Sequence, residues 1–243
     1  MYQDKTDFLL WKNAQQGAYT QFQDAISPST GIRLTIDPFI NLLNENGNKH
    51  SIKSRYFKTV NNIVGDNMSS TGESIFTEYR YHHKFKSDLR LTGGVSYISS
   101  RIEALLYGNH TSSNYAFFMQ SDKKVFDVLS ISLGLRWENY HLDNISESSR
   151  PLLRLGANYQ VAEYTFLRTS FGQGYRFPSI AEKYTLTQLG GLQILPSPGL
   201  ESESGWSYES GIKQGFRIYD WTGFVDLSFF WTEYKNMMEF TFG

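Results

Sequence analysis

The sequence predicts an all-β protein, folded as an antiparallel up-and-down meander of about ten strands. Apolar and polar residues alternate with a period of two along most of the chain. Aromatic residues, which favour strands, make up 16% of the 243 residues. No stretch with helical periodicity competes strongly, although residues 1–31 are ambiguous and are assigned to no element.

Each predicted strand has one apolar side and one side that is polar, small or charged. In the segment around residue 131, for example, Ile131 and Leu133 alternate with Ser130, Ser132 and Gly134. The predicted strands lie near residues 32–43, 49–60, 73–85, 88–100, 114–120, 125–140, 151–160, 164–175, 204–216 and 222–236.

The links between these strands alternate in length. Residues 44–48, NENGN, predict a tight hairpin because Asn-Gly supplies the positive φ of a type I′ turn. The other short links lie near residues 86–88, 121–124, 161–163 and 217–221, and the long ones at 61–72, 101–113, 141–150 and 176–203. This order predicts a meander with short turns at one end and long, functional loops at the other.

Alternation fits two architectures. A soluble barrel or sandwich turns its apolar face inward, whereas a transmembrane barrel turns it to lipid and encloses a polar lumen. Strands of about ten residues or more, aromatic residues near strand ends and alternating links favour the transmembrane barrel. The aromatic residues are Tyr97, Trp137, Tyr140, Trp206, Tyr208, Trp231 and Tyr234. The soluble alternative stays open at this point.

Composition excludes several classes of function. A net charge of −1 gives no basis for nucleic-acid binding, and the lack of cysteine rules out disulfides and thiolate metal sites. No apolar run approaches the ~18 residues of a spanning helix. The first residues, MYQDKTDFLLWKN, do not form a signal peptide, so we expect a protein that is not exported or a fragment of a longer one.

One segment carries a more specific signal. RTSFGQGYRFPSIAEKY resembles a stretch in the C-terminal half of TonB-dependent outer-membrane receptors. The matching positions are Arg168, Ser170, Gly174, Tyr175, Arg176, Pro178, Glu182 and Tyr184. Three further motifs follow the order of that family, and their matching residues include Arg136, Trp137, Glu138, Pro198, Leu200, Glu203, Glu209, Gly211, Tyr234 and Asn236. Ser197 and Ser202 depart from the family pattern.

The resemblance implies part of a barrel in the cell outer membrane. Residues 1–243 are expected to be an internal fragment that lacks the plug domain and the remaining strands of a 22-stranded barrel. The whole protein would be a receptor for energy-coupled uptake of a scarce nutrient such as a ferric siderophore, cobalamin or a glycan. Its partners would be outer-membrane lipid, the nutrient ligand and, through the missing plug, a TonB-type energy-coupling protein.

The resemblance implies no catalytic residue, and no cofactor is expected. The histidines lack the spacing of metal ligands, so no metal site is expected either. A passive porin or adhesin barrel and a soluble β-sandwich carbohydrate-binding domain remain alternatives. His82 and His83 are neighbours on a strand, so they point to opposite faces and do not chelate together.

Two groups of polar residues are candidates for function. Loops 101–113 and 176–203 predict ligand contacts at Tyr107, His110, Tyr184 and Gln193, because binding residues concentrate on loops held by a rigid scaffold. The inward-facing basic residues are Arg136, Arg154, Arg168 and Lys213, with Glu138 and Glu209 beside them. We expect this second group to form ion pairs in the lumen, and contact with the plug or with an anionic ligand is the alternative.

Overall fold

The computed structural model describes residues 2–7, 15, 26–63, 69–189 and 192–239. Most of these residues lie in strands. The first strands are β1 (Tyr2–Asp7), β2 (Ile26–Ile36), β3 (Phe39–Leu43), β4 (Lys49–Ile63), β5 (Ser70–Lys84), β6 (Leu89–Ala104), β7 (Gly108–Val125) and β8 (Leu129–Leu142). They are followed by β9 (Ile145–Ser148), β10 (Leu152–Ala162), β11 (Thr165–Arg176), α1 (Ile180–Tyr184), β12 (Thr187–Leu189), β13 (Leu192–Ile194), β14 (Glu203–Ile218) and β15 (Trp221–Lys235).

The strands form one antiparallel, up-and-down sheet, as the alternation predicted. Its order is β1-β2-β4-β5-β6-β7-β8-β10-β11-β14-β15, with β3 paired to β4 and β9 paired to β8. Strands β12 and β13 form a separate two-stranded hairpin. Within the described ranges β1 and β15 do not pair with each other, so this part of the chain is an open sheet.

The sheet has a continuous apolar face. Cross-strand register places Leu133, Leu155, Phe171, Tyr208 and Trp231 side by side on five neighbouring strands. Four of these side chains are exposed: Leu133 by 48%, Leu155 by 46%, Tyr208 by 37% and Trp231 by 54%. We call this side of the sheet the apolar face.

The other side of the sheet, which we call the polar face, carries the small and charged residues. Ser132, Gly156, Ser170 and Glu209 are neighbours there on consecutive strands. Arg136, Arg154 and Arg168 lie on the same face. The separation of apolar and polar side chains onto opposite faces of the sheet, expected from the sequence, is therefore confirmed.

A second layer is missing from the described part of the chain. The buried apolar residues found there are Ala104, Ala116, Leu142 and Ile180. A soluble sandwich would instead bury one face of each sheet in a core about 10 Å thick. The soluble β-sandwich alternative is therefore wrong.

The turns at one end of the sheet are short. The hairpin predicted at 44–48 is present: the Gly47 N–H donates to the Asn44 carbonyl at 3.0 Å, and Gly47 has φ of +76°. The predicted type I′ turn is wrong, because Asn46 does not share the positive φ that this turn type requires at both residues. The link predicted at 121–124 is misplaced, because β7 continues to Val125 and the turn lies at residues 126–128. Phe126 and Asp127 adopt positive φ in that turn.

The opposite end, which we call the loop rim, carries the turns at 105–107 and 143–144 and the connection 177–202. The prediction of a long loop at 101–113 is wrong: β6 extends to Ala104 and β7 begins at Gly108. Residues 108–113, GNHTSS, are polar, so their alternation does not show, yet they continue to pair with β6. Of the residues the structure describes, none belongs to a helix with the length and apolarity needed to cross a membrane.

Candidate functional site

Three of the predicted ligand-contact residues meet at the loop rim. The rings of His110 and Tyr184 stack with centroids 3.8 Å apart and an interplanar angle of 11°. Nε2 of His110 lies 2.8 Å from the backbone carbonyl oxygen of Tyr107. The side chain of Gln193 lies outside the described residues, although its backbone pairs with Gln188 in the β12–β13 hairpin.

Asp143 completes this cluster and was not singled out from the sequence. Its Oδ2 lies 2.7 Å from Nδ1 of His110, and its Oδ1 accepts the Thr111 N–H at 2.9 Å. The residue turns the chain between β8 and β9 with φ of +51°, a conformation that Asp tolerates better than most residues. The Asp-Asn pair in HLDNIS was the available signal for that turn.

The electrostatics of the cluster favour an ionised Asp143. Burial alone would raise the pKa of its carboxyl, but the hydrogen bonds from Thr111 and His110 outweigh burial and lower that pKa. Burial, reinforced by the negative charge of Asp143, raises the pKa of the Tyr184 phenol. At neutral pH the cluster therefore holds a carboxylate beside an uncharged phenol.

The backbone brings the cluster's elements together. Gly108 begins β7 with φ of +83°, which favours glycine, and a Cβ there would lie 3.1 Å from Nε2 of His110. The Leu186 N–H donates to the Leu106 carbonyl at 3.0 Å, which joins the connection 177–202 to the β6–β7 turn. The His110 side chain is 16% exposed.

Arg176 clamps the start and the end of the connection 177–202. Its Nη1 lies 2.7 Å from Oε1 of Glu182, and its Nε lies 2.7 Å from Oε2 of Glu203. The hydrogen bond from Arg176, with that from the Met238 N–H, lowers the pKa of Glu203 to about 2. The same carboxylates raise the pKa of Arg176.

Helix α1 supports this clamp from within the connection. Ser179 caps the helix, and its side chain and backbone exchange hydrogen bonds with Glu182 in a capping box. Pro178 and Ile180 are buried, and the buried Lys183 donates from Nζ to the Pro198 carbonyl at 3.1 Å. The helix was missed from the sequence because five residues are too few to show a period, but Ser-x-x-Glu was a signal for its start.

The family-motif residues on the polar face form an ion-pair network. Arg168 lies 3.3 Å from Glu209 and 2.8 Å from Asp226, and it donates to Ser228 at 2.5 Å. Gly211 lies opposite Arg168 on β14 and leaves room for its guanidinium. The network thus connects β11, β14 and β15.

The other inward-facing basic residues have different surroundings. Arg136 pairs with Glu138, which also accepts a 2.9 Å hydrogen bond from Asn114. Lys213 lies over the ring of Phe224, 4.3 Å from its centroid. Arg154 lies between Gly134 and Gly172. The predicted ion pairs are therefore found at Arg136 and Arg168.

The predicted separation of His82 and His83 is confirmed. His82 contacts the Thr92 hydroxyl oxygen at 2.9 Å, whereas His83 contacts Asn48. Among the residues that the structure describes, no group of three His, Asp or Glu side chains has the arrangement of a metal site.

Comparison with known proteins gives a match over nearly the whole chain. The family model described as TonB dependent receptor-like, beta-barrel, matches residues 2–243. No curated protein sequence matches the chain.

Several solved structures have a similar fold. The siderophore receptor PirA from Pseudomonas aeruginosa has a TM-score of 0.72 at 16% identity over 86% of this chain. The Serratia marcescens hemophore receptor HasR, in complex with HasA and heme, has a TM-score of 0.67 at 12% identity over 87% of this chain. A mutant of the ferric enterobactin receptor PfeA from Pseudomonas aeruginosa has a TM-score of 0.71 at 14% identity over 85% of this chain. The chain spans 40%, 41% and 35% of these three structures.

Proposed function

The chain belongs to the TonB-dependent receptor β-barrel family, and from this we propose that the whole protein takes up a scarce nutrient across the outer membrane. In this proposal, residues 1–243 are part of a barrel whose remaining strands and plug domain lie outside this segment. The plug would bind a TonB-type energy-coupling protein, and the protein would act as a transport receptor without catalysing a reaction.

The observation that carries the proposal is the opposite character of the two faces. An exposed apolar face extends across five strands, and charged residues share the other face. In a membrane barrel the first face contacts lipid and the second faces a wet lumen. This arrangement supports location in the outer membrane, with lipid as one partner.

A ferric siderophore is the nutrient class we propose first, with cobalamin and glycans as the other candidates. The named ligands of the similar structures support this choice, because they include a siderophore, ferric enterobactin and the heme-carrying hemophore HasA. Another similar structure is the copper transporter OprC. Iron transport is thus the form of uptake to test first.

Ligand contact is proposed at the loop rim, through Tyr107, His110, Tyr184 and Gln193. The convergence of Tyr107, His110 and Tyr184 supports the proposal. Both ring nitrogens of His110 already face Asp143 and Tyr107. In this proposal Tyr107 and Tyr184 therefore supply the direct polar contacts, and His110 holds them in place.

Uptake assays on the full-length protein test the function. Cells expressing it in a background that lacks other receptors should accumulate radiolabelled iron from ferric siderophores, and loss of the energy-coupling protein should abolish that accumulation. Uptake that persists without energy coupling would favour the passive porin or adhesin alternative. No uptake of any siderophore, cobalamin or glycan would overturn the proposal.

A further inference from the structure

Arg154 differs from Arg136 and Arg168, which lie on the same polar face. Arg136 pairs with Glu138, and Arg168 pairs with Asp226. Arg154 is exposed, and it takes part in none of the ion pairs found within the described ranges. A guanidinium offers several N–H donors in a planar fork, which matches two oxygens of a carboxylate or a phosphate. Arg154 is therefore available to an anionic group.

Cross-strand register places three hydroxyl groups on the same side of the sheet as Arg154. Gly172 is the cross-strand partner of both Arg154 and Ser207. Ser207 is in turn opposite Thr232. Tyr234 follows two residues later on β15 and therefore points to the same face. Within the described part of the chain these three hydroxyls make no hydrogen bond to another residue, so each can donate one to a ligand.

Arg154 and the three hydroxyl residues line an open cavity of about 390 Å³ with glycines between them. A Cβ at Gly172 would lie 3.8 Å from Oγ of Ser207 and 3.9 Å from Cγ of Arg154, so a side chain there would enter the space between these two groups. A Cβ at Gly174 would lie in open space. Pockets for small ligands have volumes of about 300–1,000 Å³. The volume therefore favours a small molecule over a single acidic side chain from elsewhere in the chain.

The charges around the cavity favour an anion. Glu203 also lines it, but both oxygens of this carboxylate are already occupied. Oε2 accepts from Nε of Arg176 at 2.7 Å, and Oε1 accepts from the Met238 N–H at 2.5 Å. Because Arg176 and Glu203 offset each other, the charge of Arg154 remains to attract a ligand.

We propose that Arg154, Ser207, Thr232 and Tyr234 form an oxyanion site on the polar face, which binds the carboxylate or phosphate group of a small ligand. The Arg154 fork binds two oxygens of that group, and the hydroxyls donate to the same group. The site is separate from the residues proposed for ligand contact at the loop rim. It rests on the proposed function only in needing a polar face that is open to water, and it does not depend on which nutrient is taken up.

Phenylglyoxal, which modifies accessible guanidinium groups, tests the site in the full-length protein in detergent. Peptide mass spectrometry would follow the modification of Arg154, with the ion-paired Arg168 as an internal reference. Arg154 should react faster than Arg168, and benzoate or inorganic phosphate should protect it, whereas chloride at the same ionic strength should not. Protection by benzoate, by phosphate or by both supports the site and identifies the group that it accepts.

Two results would overturn the proposal. The first is no protection by either anion, or equal protection by chloride. The second is an Arg154 that reacts as slowly as Arg168 before any anion is added, because an acidic residue elsewhere in the chain would then occupy it already.

Variants assign the protection to the hydroxyl groups. In Ser207→Ala the anion concentration that gives half protection should rise about tenfold, as for the loss of one hydrogen bond to a charged group. Thr232→Val, which keeps the shape of the side chain, should have a similar effect. Ser210→Ala is the matched control, because Ser210 is three residues away on β14 and points to the apolar face. Equal protection in Ser207→Ala, Thr232→Val and Ser210→Ala would contradict the site.

Discussion

Arg168 on β11 and Gly211 on β14 are cross-strand partners, and the bare Cα of Gly211 lets the Arg168 guanidinium extend across β14. The guanidinium thereby lies 2.8 Å from Asp226 on β15. A Cβ at Gly211 would lie 3.1 Å from Cζ of Arg168 and 2.9 Å from the Leu227 carbonyl oxygen. These two family-motif residues, distant in the sequence, therefore depend on each other: Gly211 leaves the space through which the Arg168 side chain extends.

Gly211→Ala should destabilise the barrel wall. The added methyl group meets backbone on one side and the guanidinium on the other, so Arg168 must move away from Asp226. We expect a loss of about 1–3 kcal/mol, as for other overpacked sites. The denaturant dependence of unfolding of the full-length protein in detergent measures this loss.

Gly174→Ala is the matched control for that substitution. Gly174 is on the same polar face, and a Cβ there would have no atom within 4 Å. The Gly174→Ala variant should therefore have a free energy of unfolding close to that of the wild type. Equal losses in the two variants would show that close approach at Gly211 is not the cause.

Arginine substitutions at two adjacent residues of β7 should differ in their effect on the fraction of folded barrel. Met119 is on the apolar face and is 49% exposed. Met119→Arg places a charge in lipid, at a cost of about 2–4 kcal/mol near the bilayer midplane. Gln120 is on the polar face and contacts Asp122 at 3.0 Å, so Gln120→Arg gains an anionic neighbour. The fraction of folded barrel in isolated outer membranes, read from gel mobility without heating, should fall for Met119→Arg alone.

Acid should release the Arg176 clamp. The pKa of Glu203 is lowered from 4.5 to about 2 in the folded protein. The Glu203 carboxylate therefore stabilises the clamp fully above pH 4.5, and this stabilisation is lost as the pH falls toward 2. A spin label at Leu195→Cys, an exposed position of the connection, should gain mobility over that range. In the Glu203→Gln variant the label should be mobile already at neutral pH, and its mobility should respond less to acid. A label that stays restrained at pH 2 would contradict the role of the clamp.

Removal of the Tyr184 ring should loosen the same connection. Its stack on His110 is a ring contact that Tyr184→Phe keeps and Tyr184→Ala removes. Aromatic pairs contribute about 0.5–1.5 kcal/mol beyond their buried area. Limited proteolysis of the folded receptor should therefore cut within 177–202 faster in the alanine variant, while the phenylalanine variant stays near wild type.

The sequence predicted the sheet well because lipid and water impose opposite demands on alternate residues. The bounds of β4, β8 and β11 lie within a few residues of their predictions. β7 was predicted at 114–120 but spans Gly108–Val125. Its ends are polar, so hydropathy marks where the strand crosses lipid and does not mark where its hydrogen bonds stop.

The site was only partly predictable. The loops predicted at 101–113 and 176–203 pointed to Tyr107, His110 and Tyr184, but the convergence of these residues depends on how the connection 177–202 folds back. The contact of Asp143 with His110 could not be predicted, because it depends on the geometry of the β8–β9 turn and joins residues that are 33 positions apart in the sequence. The reach of Arg168 to Asp226 likewise depends on strand register, which alternation alone does not fix.

The central claim, that the apolar face meets lipid and the polar face meets water, is tested most directly along β7. Single spin labels at Phe117, Phe118, Met119 and Gln120 of the full-length protein in lipid bilayers would be compared for collisions with oxygen and with a water-soluble nickel chelate. Labels at 117 and 119 should collide mainly with oxygen, and labels at 118 and 120 with the chelate. The reverse pattern, or equal access to the chelate at all four positions, would contradict the assignment of the two faces.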